Sequence, residues 1–141
     1  MNVPIAPIAL SEPGSLPLAD ALDVAACRQT VRRLTAALKF SIIGQTMLIT
    51  AASELARNTL LHGGGGRFSW EVIDAGTRRG VRLRFEDEGP GIPDIQRAMT
   101  DGWTSGKGLG LGLPGAKRLV NEFEVESAVG RGTRVAITRW Q

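Results

Sequence analysis

Apolar and polar positions repeat along this chain in two rhythms, and the change from one to the other marks its elements. Val24, Cys27, Val31, Leu34 and Leu38 recur at spacings of three and four, which predicts one buried stripe on a helix over about residues 20–39. Asp20 stands where that helix needs an N-cap. Phe40 to Gly44 breaks the pattern, and a second helix is expected from about Gln45 to His62. Leu48, Ala52, Leu55 and Thr59 form one row along it, and Met47, Ala51, Glu54, Asn58 and His62 form another. Gly63 and the glycines after it stop the helix, and the Gly63–Gly66 run reads as a flexible loop and nothing more.

The rhythm then shortens to two. Phe68, Trp70 and Val72 alternate with Ser69, Glu71 and Ile73, and Val81, Leu83 and Phe85 alternate with Arg82, Arg84 and Glu86. These are strands over residues 67–74 and 80–86, each with one buried and one wet face. The glycine-bearing segment Asp74 to Gly80 joins them as an antiparallel hairpin. Pro93 to Trp103 offers a helical turn or two around Ile95 and Met99, Pro114 suits the first turn of another helix, and strands are expected at 123–127 and 133–140. Residues 1–17 hold four prolines, so a strand there, with Ile5 to Leu10 the candidate, is short and at an edge.

Composition narrows the classes. At 141 residues the chain reads as a single domain, 1–141, with residues 1–17 a proline-rich extension. Aromatic residues make up 5% and tyrosine is absent, which argues against a stacking platform for nucleic acid. The net charge of +3 comes from scattered basic residues and suits an anionic ligand. Cys27 is the single cysteine, placed in the apolar stripe, so a buried thiol is expected. No run approaches a membrane span and no signal peptide opens the chain. The expectation is a cytoplasmic protein with no nucleic-acid or membrane partner.

Two glycine-rich stretches carry the candidate chemistry. Asp87-Glu88-Gly89-Pro90-Gly91-Ile92 follows a strand, and Gly106-Lys107-Gly108-Leu109-Gly110-Leu111-Gly112-Leu113 precedes a helix. Backbone without Cβ atoms can approach a ligand closely, and its N–H groups can face phosphate oxygens. Asp87 could accept a hydrogen bond from the exocyclic amine of adenine, where the carbonyl of guanine would be repelled; it could equally begin a turn. Glu54 and Asn58 stand one above the other on a helix. Asn58 offers a neutral oxygen to Mg²⁺ and Glu54 could take a proton from an attacking hydroxyl, though such a pair is also an ordinary solvated face. His62 suits packing or capping better than catalysis. Lys107 could neutralise phosphate charge as a lid closes, or face solvent. Thr133 could add a hydroxyl near the base, or be a plain strand residue.

The order of these signals says more than any one of them. Glu54-x-x-x-Asn58, the hairpin, Asp87-x-Gly89-x-Gly91, alternating glycines and Gly130-x-Gly132-Thr133 resemble the GHKL ATPase/kinase superfamily with its Bergerat nucleotide-binding fold. No Walker A loop occurs. Within the superfamily, Ala52 to Asn58, Glu86 to Ile95, Asp101 to Thr104, Gly108 to Gly115, and Phe123 with Val129-Gly130 are similar to the anti-sigma-factor serine/threonine kinases, nearest to the switch kinases of stressosome modules. The likeness runs from about residue 20 to the end.

That resemblance implies an α/β two-layer sandwich, with helices on one face of a mixed, mostly antiparallel sheet. It implies ATP with Mg²⁺, and phosphorylation of Ser or Thr on a STAS-domain protein that serves as substrate and scaffold. A downstream phosphatase or other output protein would be activated by binding. Glu54 becomes the base, Asn58 the Mg²⁺ ligand and Asp87 the adenine contact, supported by Thr133. Gly89 and Gly91 border the base; Lys107, Gly108, Gly110 and Gly112 face the phosphates. Gly44 departs from the pattern, which expects an acidic residue before the second helix. Two rivals stay open: an anti-sigma factor that sequesters a sigma factor directly, and a binding module that ATP gates without phosphotransfer.

Overall fold

Asp20 caps the first helix. Its Oδ1 accepts the backbone N–H of Asp23 at 3.1 Å, and α1 then runs Ala21–Ala37 in a computed structural model that describes residues 12–100 and 112–141. The expected stripe faces inward: Cys27, Val31, Leu34 and Leu38 are fully buried, with Val24 at their margin. The helix closes without a glycine. Lys39 takes the left-handed conformation at φ 61°, and the N–H groups of Lys39 and Phe40 return to the carbonyls of Ala36 and Thr35. This is a Schellman closure, a position where glycine is usual.

The second helix, α2, spans Ile42–Leu61 and so begins earlier than the expected Gln45. Ser41 explains the difference. Its Oγ accepts the N–H of Gly44 at 3.0 Å, which makes Gly44 part of the first turn and not part of a break. Phe40 is buried at the corner, and α1 and α2 pack against each other along their lengths.

Among the described residues, five strands form one sheet in the order β1-β2-β3-β5-β4. They are β1 Gly14–Leu18, β2 Gly66–Asp74, β3 Arg79–Asp87, β4 Glu122–Ser127 and β5 Thr133–Trp140. The sheet, expected to be mixed, is antiparallel at each of its described pairings. The candidate strand at Ile5–Leu10 lies outside the described residues. The strand that forms near the start is β1, short and at an edge as its proline, Pro17, requires. Between β3 and β4 come α3, Ile95–Ala98, capped by Asp94, and α4, Gly112–Arg118, with Pro114 in its first turn.

The helices cover one face. Phe68 and Phe85 stack with ring centroids 5.3 Å apart, and with Leu83 and Ile137 they meet Leu48 and Leu55 of α2 in one core. The residues that alternate with them carry charge on the opposite, open face. There Glu71 takes Arg84 at 3.0 Å and Arg82 at 3.4 Å, Arg82 reaches Glu122 at 3.8 Å, and Arg134 reaches Glu86 at 3.8 Å. Arg82, Arg84 and Arg134, which look scattered in the sequence, are thus gathered on this face, each beside a carboxylate.

Candidate functional site

Strand register brings the sequence candidates into line. Leu18, Gly66, Asp87, Thr133 and Ser127 are successive partners across the sheet. Directly paired residues of antiparallel strands project to the same face, here the helix-covered one. The next row inward, Leu16, Phe68, Phe85, Val135 and Val125, is wholly apolar. The core therefore stops one row short of the strand ends, and the last row turns polar at Asp87, Thr133 and Ser127.

Asp87 is held from two sides. Its Oδ1 accepts the N–H of Gly89 at 2.9 Å, an Asx turn that fixes the carboxylate at the strand end. Gly63, just past the C-cap of α2, presses on it: a Cβ at Gly63 would lie 2.3 Å from Asp87 Cγ and 2.5 Å from Oδ2. Gly63 in turn abuts Gly89, where a Cβ would stand 2.7 Å from Gly63 Cα. The Gly63–Gly66 run is therefore more than the flexible loop the sequence suggested. Gly63 N–H bonds the Asn58 carbonyl at 3.2 Å, Gly65 N–H bonds that of Thr59 at 3.0 Å, and the run feeds directly into β2. With Glu86, Asp87, Glu88 and Arg134, it borders a cavity of about 540 Å³.

The Asp87-to-Ile92 segment is fastened to the β4–β5 turn. Gly91 adopts φ 78°, and a Cβ there would fall 2.0 Å from the carbonyl oxygen of Ala128. Gly130 N–H bonds the Pro90 carbonyl at 2.9 Å, and Ile92 N–H bonds Ser127 Oγ at 2.7 Å. Gly132 is equally constrained, since its Cβ would lie 2.0 Å from the Asp87 carbonyl oxygen. The Thr133 hydroxyl meets that of Ser127 at 2.8 Å.

Glu54 and Asn58 occupy the end of α2 that runs into Gly63. The Glu54 side chain is 13% exposed and its Oε1 pairs with Arg57 Nη1 at 3.3 Å. The Asn58 carbonyl accepts the N–H groups of both His62 and Gly63, while its side-chain amide makes no hydrogen bond among the described residues. His62 is the exposed C-cap, in keeping with the capping reading. Asn58 and Asp87 are thus joined through one residue, Gly63, with Glu54 a helical turn further along. Gly112 opens α4 at φ 65°, and α4 packs on α2. Lys107, Gly108 and Gly110 lie outside the described residues.

Three contributors escape a reading of the sequence: Gly63, Ser127 and Arg57. Arg57 was open to detection, because it stands three residues beyond Glu54 on the same helix. Gly63 and Ser127 have no local signature, since each matters only through a partner on another element. Cys27 is buried as expected, and burial pushes its thiol from 9.0 up to about 12.

With this geometry in view, the comparisons with known proteins are consistent. The histidine kinase-, DNA gyrase B- and HSP90-like ATPase family matches residues 44–140, and the chain belongs to that family. Within it, the chain is by likeness a serine/threonine-protein kinase. It is 42% identical over 118 residues to the serine/threonine-protein kinase RsbT of Bacillus subtilis, a match that covers 84% of this chain and 89% of that one. It is 33% identical over 120 residues to an anti-sigma F factor of Geobacillus kaustophilus, covering 79% and 80%. Among solved structures it resembles the RsbU and RsbW domains of a Mycobacterium tuberculosis protein, with TM-score 0.64 and 20% identity over 92% of this chain and 32% of that one. A mycobacterial sensor histidine kinase, MprB, follows with TM-score 0.55 and 20% identity over 92% and 97%. These last two likenesses concern the fold.

Proposed function

We propose that the chain is an ATP-dependent serine/threonine kinase of a partner-switching stress-signalling module, working in the cytoplasm. Its substrate is a STAS-domain protein, which also serves as scaffold; once released, the kinase activates a phosphatase or other output protein by binding it. The observation that carries this reading is the single α2 ridge, Glu54 then Asn58, that ends through Gly63 on Asp87. In this reading a nucleotide lies with its base at Asp87 and its terminal phosphate toward Glu54.

In this assignment Asp87 accepts the adenine amine, and Gly89 and Gly91, with Thr133, shape the wall beside the base. Asn58 holds Mg²⁺. The donor set suits that ion: one neutral amide with no other hydrogen bond among the described residues, in place of a cage of acidic ligands, leaves the remaining positions to phosphate and water. The ion, when bound, offsets charge on the phosphates. Glu54 takes the proton from the attacking Ser or Thr hydroxyl as its oxygen bonds the γ-phosphorus, and ADP leaves with the electrons of the broken bond. Lys107, Gly108, Gly110 and Gly112 are assigned to the phosphates on their sequence motif.

The test is transfer of label from ATP to a STAS-domain protein in the presence of Mg²⁺. Glu54→Gln should slow transfer by about 100-fold or more while ATP affinity stays within about threefold. Transfer at the unaltered rate would remove Glu54 as the base. The anti-sigma F relatives support a second reading, direct capture of a sigma factor, which co-purification would reveal.

A further inference from the structure

Ser127 has a hydroxyl whose hydrogen-bonding capacity is completely used. A serine hydroxyl carries one proton and accepts two bonds. Ser127 Oγ lies 2.9 Å from the Gly132 carbonyl oxygen, an atom that can only accept, so the serine proton is spent there. Its two acceptor positions take the Ile92 N–H at 2.7 Å and the Thr133 hydroxyl at 2.8 Å. The direction of the last bond is then decided: Thr133 donates and Ser127 accepts.

This has a consequence for what Thr133 can show a ligand. Its only proton points away toward Ser127, and it is left with lone pairs. Thr133 is the direct cross-strand partner of Asp87, on the same face of the sheet. A base entering at this row therefore meets two acceptors, a carboxylate and a threonine oxygen whose proton is committed elsewhere. We infer that Ser127 is a positioning residue for base selection: by holding the Thr133 proton, it makes the site favour a 6-amino purine and reject a 6-oxo purine. The inference rests on the reading of Asp87 as the base contact. In its absence, the Thr133 hydroxyl would be free to rotate and donate to a 6-oxo group.

ATP and ITP differ at this position of the ring and in the proton that inosine carries on the neighbouring N1. The nucleotides are the same in every variant, so the change in the ratio of their affinities between variants reports the selection. In Ser127→Ala, ITP should bind more tightly and the ATP:ITP preference should fall by about five- to tenfold. Ser127→Thr, which keeps a hydroxyl, should restore the preference. Thr133→Val removes the group through which Ser127 acts, and with it the second acceptor, so the preference should fall there too, and adding Ser127→Ala to Thr133→Val should leave the ratio where Thr133→Val put it. A merely structural serine would weaken both nucleotides alike and would do so in either background. Unchanged preference in Ser127→Ala, or a shift that persists beside Thr133→Val, overturns the inference while leaving the nucleotide site standing. Failure of the unaltered chain to bind ATP at all overturns the site and the inference together.

Discussion

Asp87 sits against backbone that has no room to spare. In Gly63→Ala the new Cβ would need the space 2.3 Å from Asp87 Cγ and 2.5 Å from its Cβ, too near the main chain for a side-chain rotation to relieve. The carboxylate must move, and ATP affinity should fall by about tenfold or more while the helices and sheet remain. Calorimetric titration beside a urea melt separates the two effects; full affinity in this variant would detach Asp87 from the nucleotide. Cys27 gives a second expectation, on pH. Burial holds its thiol protonated up to about 12 from 9.0, so above pH 9 the unfolded chain loses a proton that the folded chain keeps. Stability must then decline as the pH rises from 9 toward 12, by at most about 1.4 kcal/mol per pH unit from this group. Cys27→Ala should lack that part of the slope when urea melts at pH 8 and pH 10.5 are compared. The Asp87 and Glu54 side chains were legible as candidates because their type and spacing imply chemistry. Gly63 and Ser127 were not, because what each does depends on an atom contributed by another element.

The elements themselves were largely written in periodicity. A stripe at three and four, an alternation at two and a run of glycines recovered α1, the β2–β3 hairpin and the strand that delivers Asp87. Boundaries fared worse where side-chain capping outweighs apolar pattern. The start of α2 at Ile42 depends on one hydroxyl, and Ser41→Ala should cost about 1 kcal/mol of stability, read as a lower urea midpoint. The end of α1 depends on a lysine in the left-handed region, a conformation that favours glycine. Lys39→Gly should therefore raise stability by up to about 1 kcal/mol, a gain that the same melt would record. Neither site touches the proposed chemistry, so ATP affinity should follow neither change. The polar row of the sheet also belongs to this scale. It cannot be seen in any one strand, because Asp87, Thr133 and Ser127 become neighbours only through the register of β3, β5 and β4.

For the molecule as a whole, the nucleotide reading makes binding and folding one equilibrium. A ligand that prefers the folded state at 100 times its dissociation constant adds about 2.7 kcal/mol of stability. Mg²⁺ with ATP should raise the thermal midpoint accordingly, chelation of the ion should remove part of the rise, and Asp87→Asn should remove nearly all of it. A midpoint indifferent to ATP would contradict the site. The order of the strands has its own effect on how copies of this chain meet. On the β1 border, Pro17 has no N–H to offer an incoming strand. On the β4 border, Glu122, Glu124 and Glu126 are exposed along one face, so a second copy laid antiparallel against it would set glutamate opposite glutamate. Both margins are thus poor templates for self-templated growth, and a concentrated solution of this protein is guarded against fibre-like stacking by its own rims.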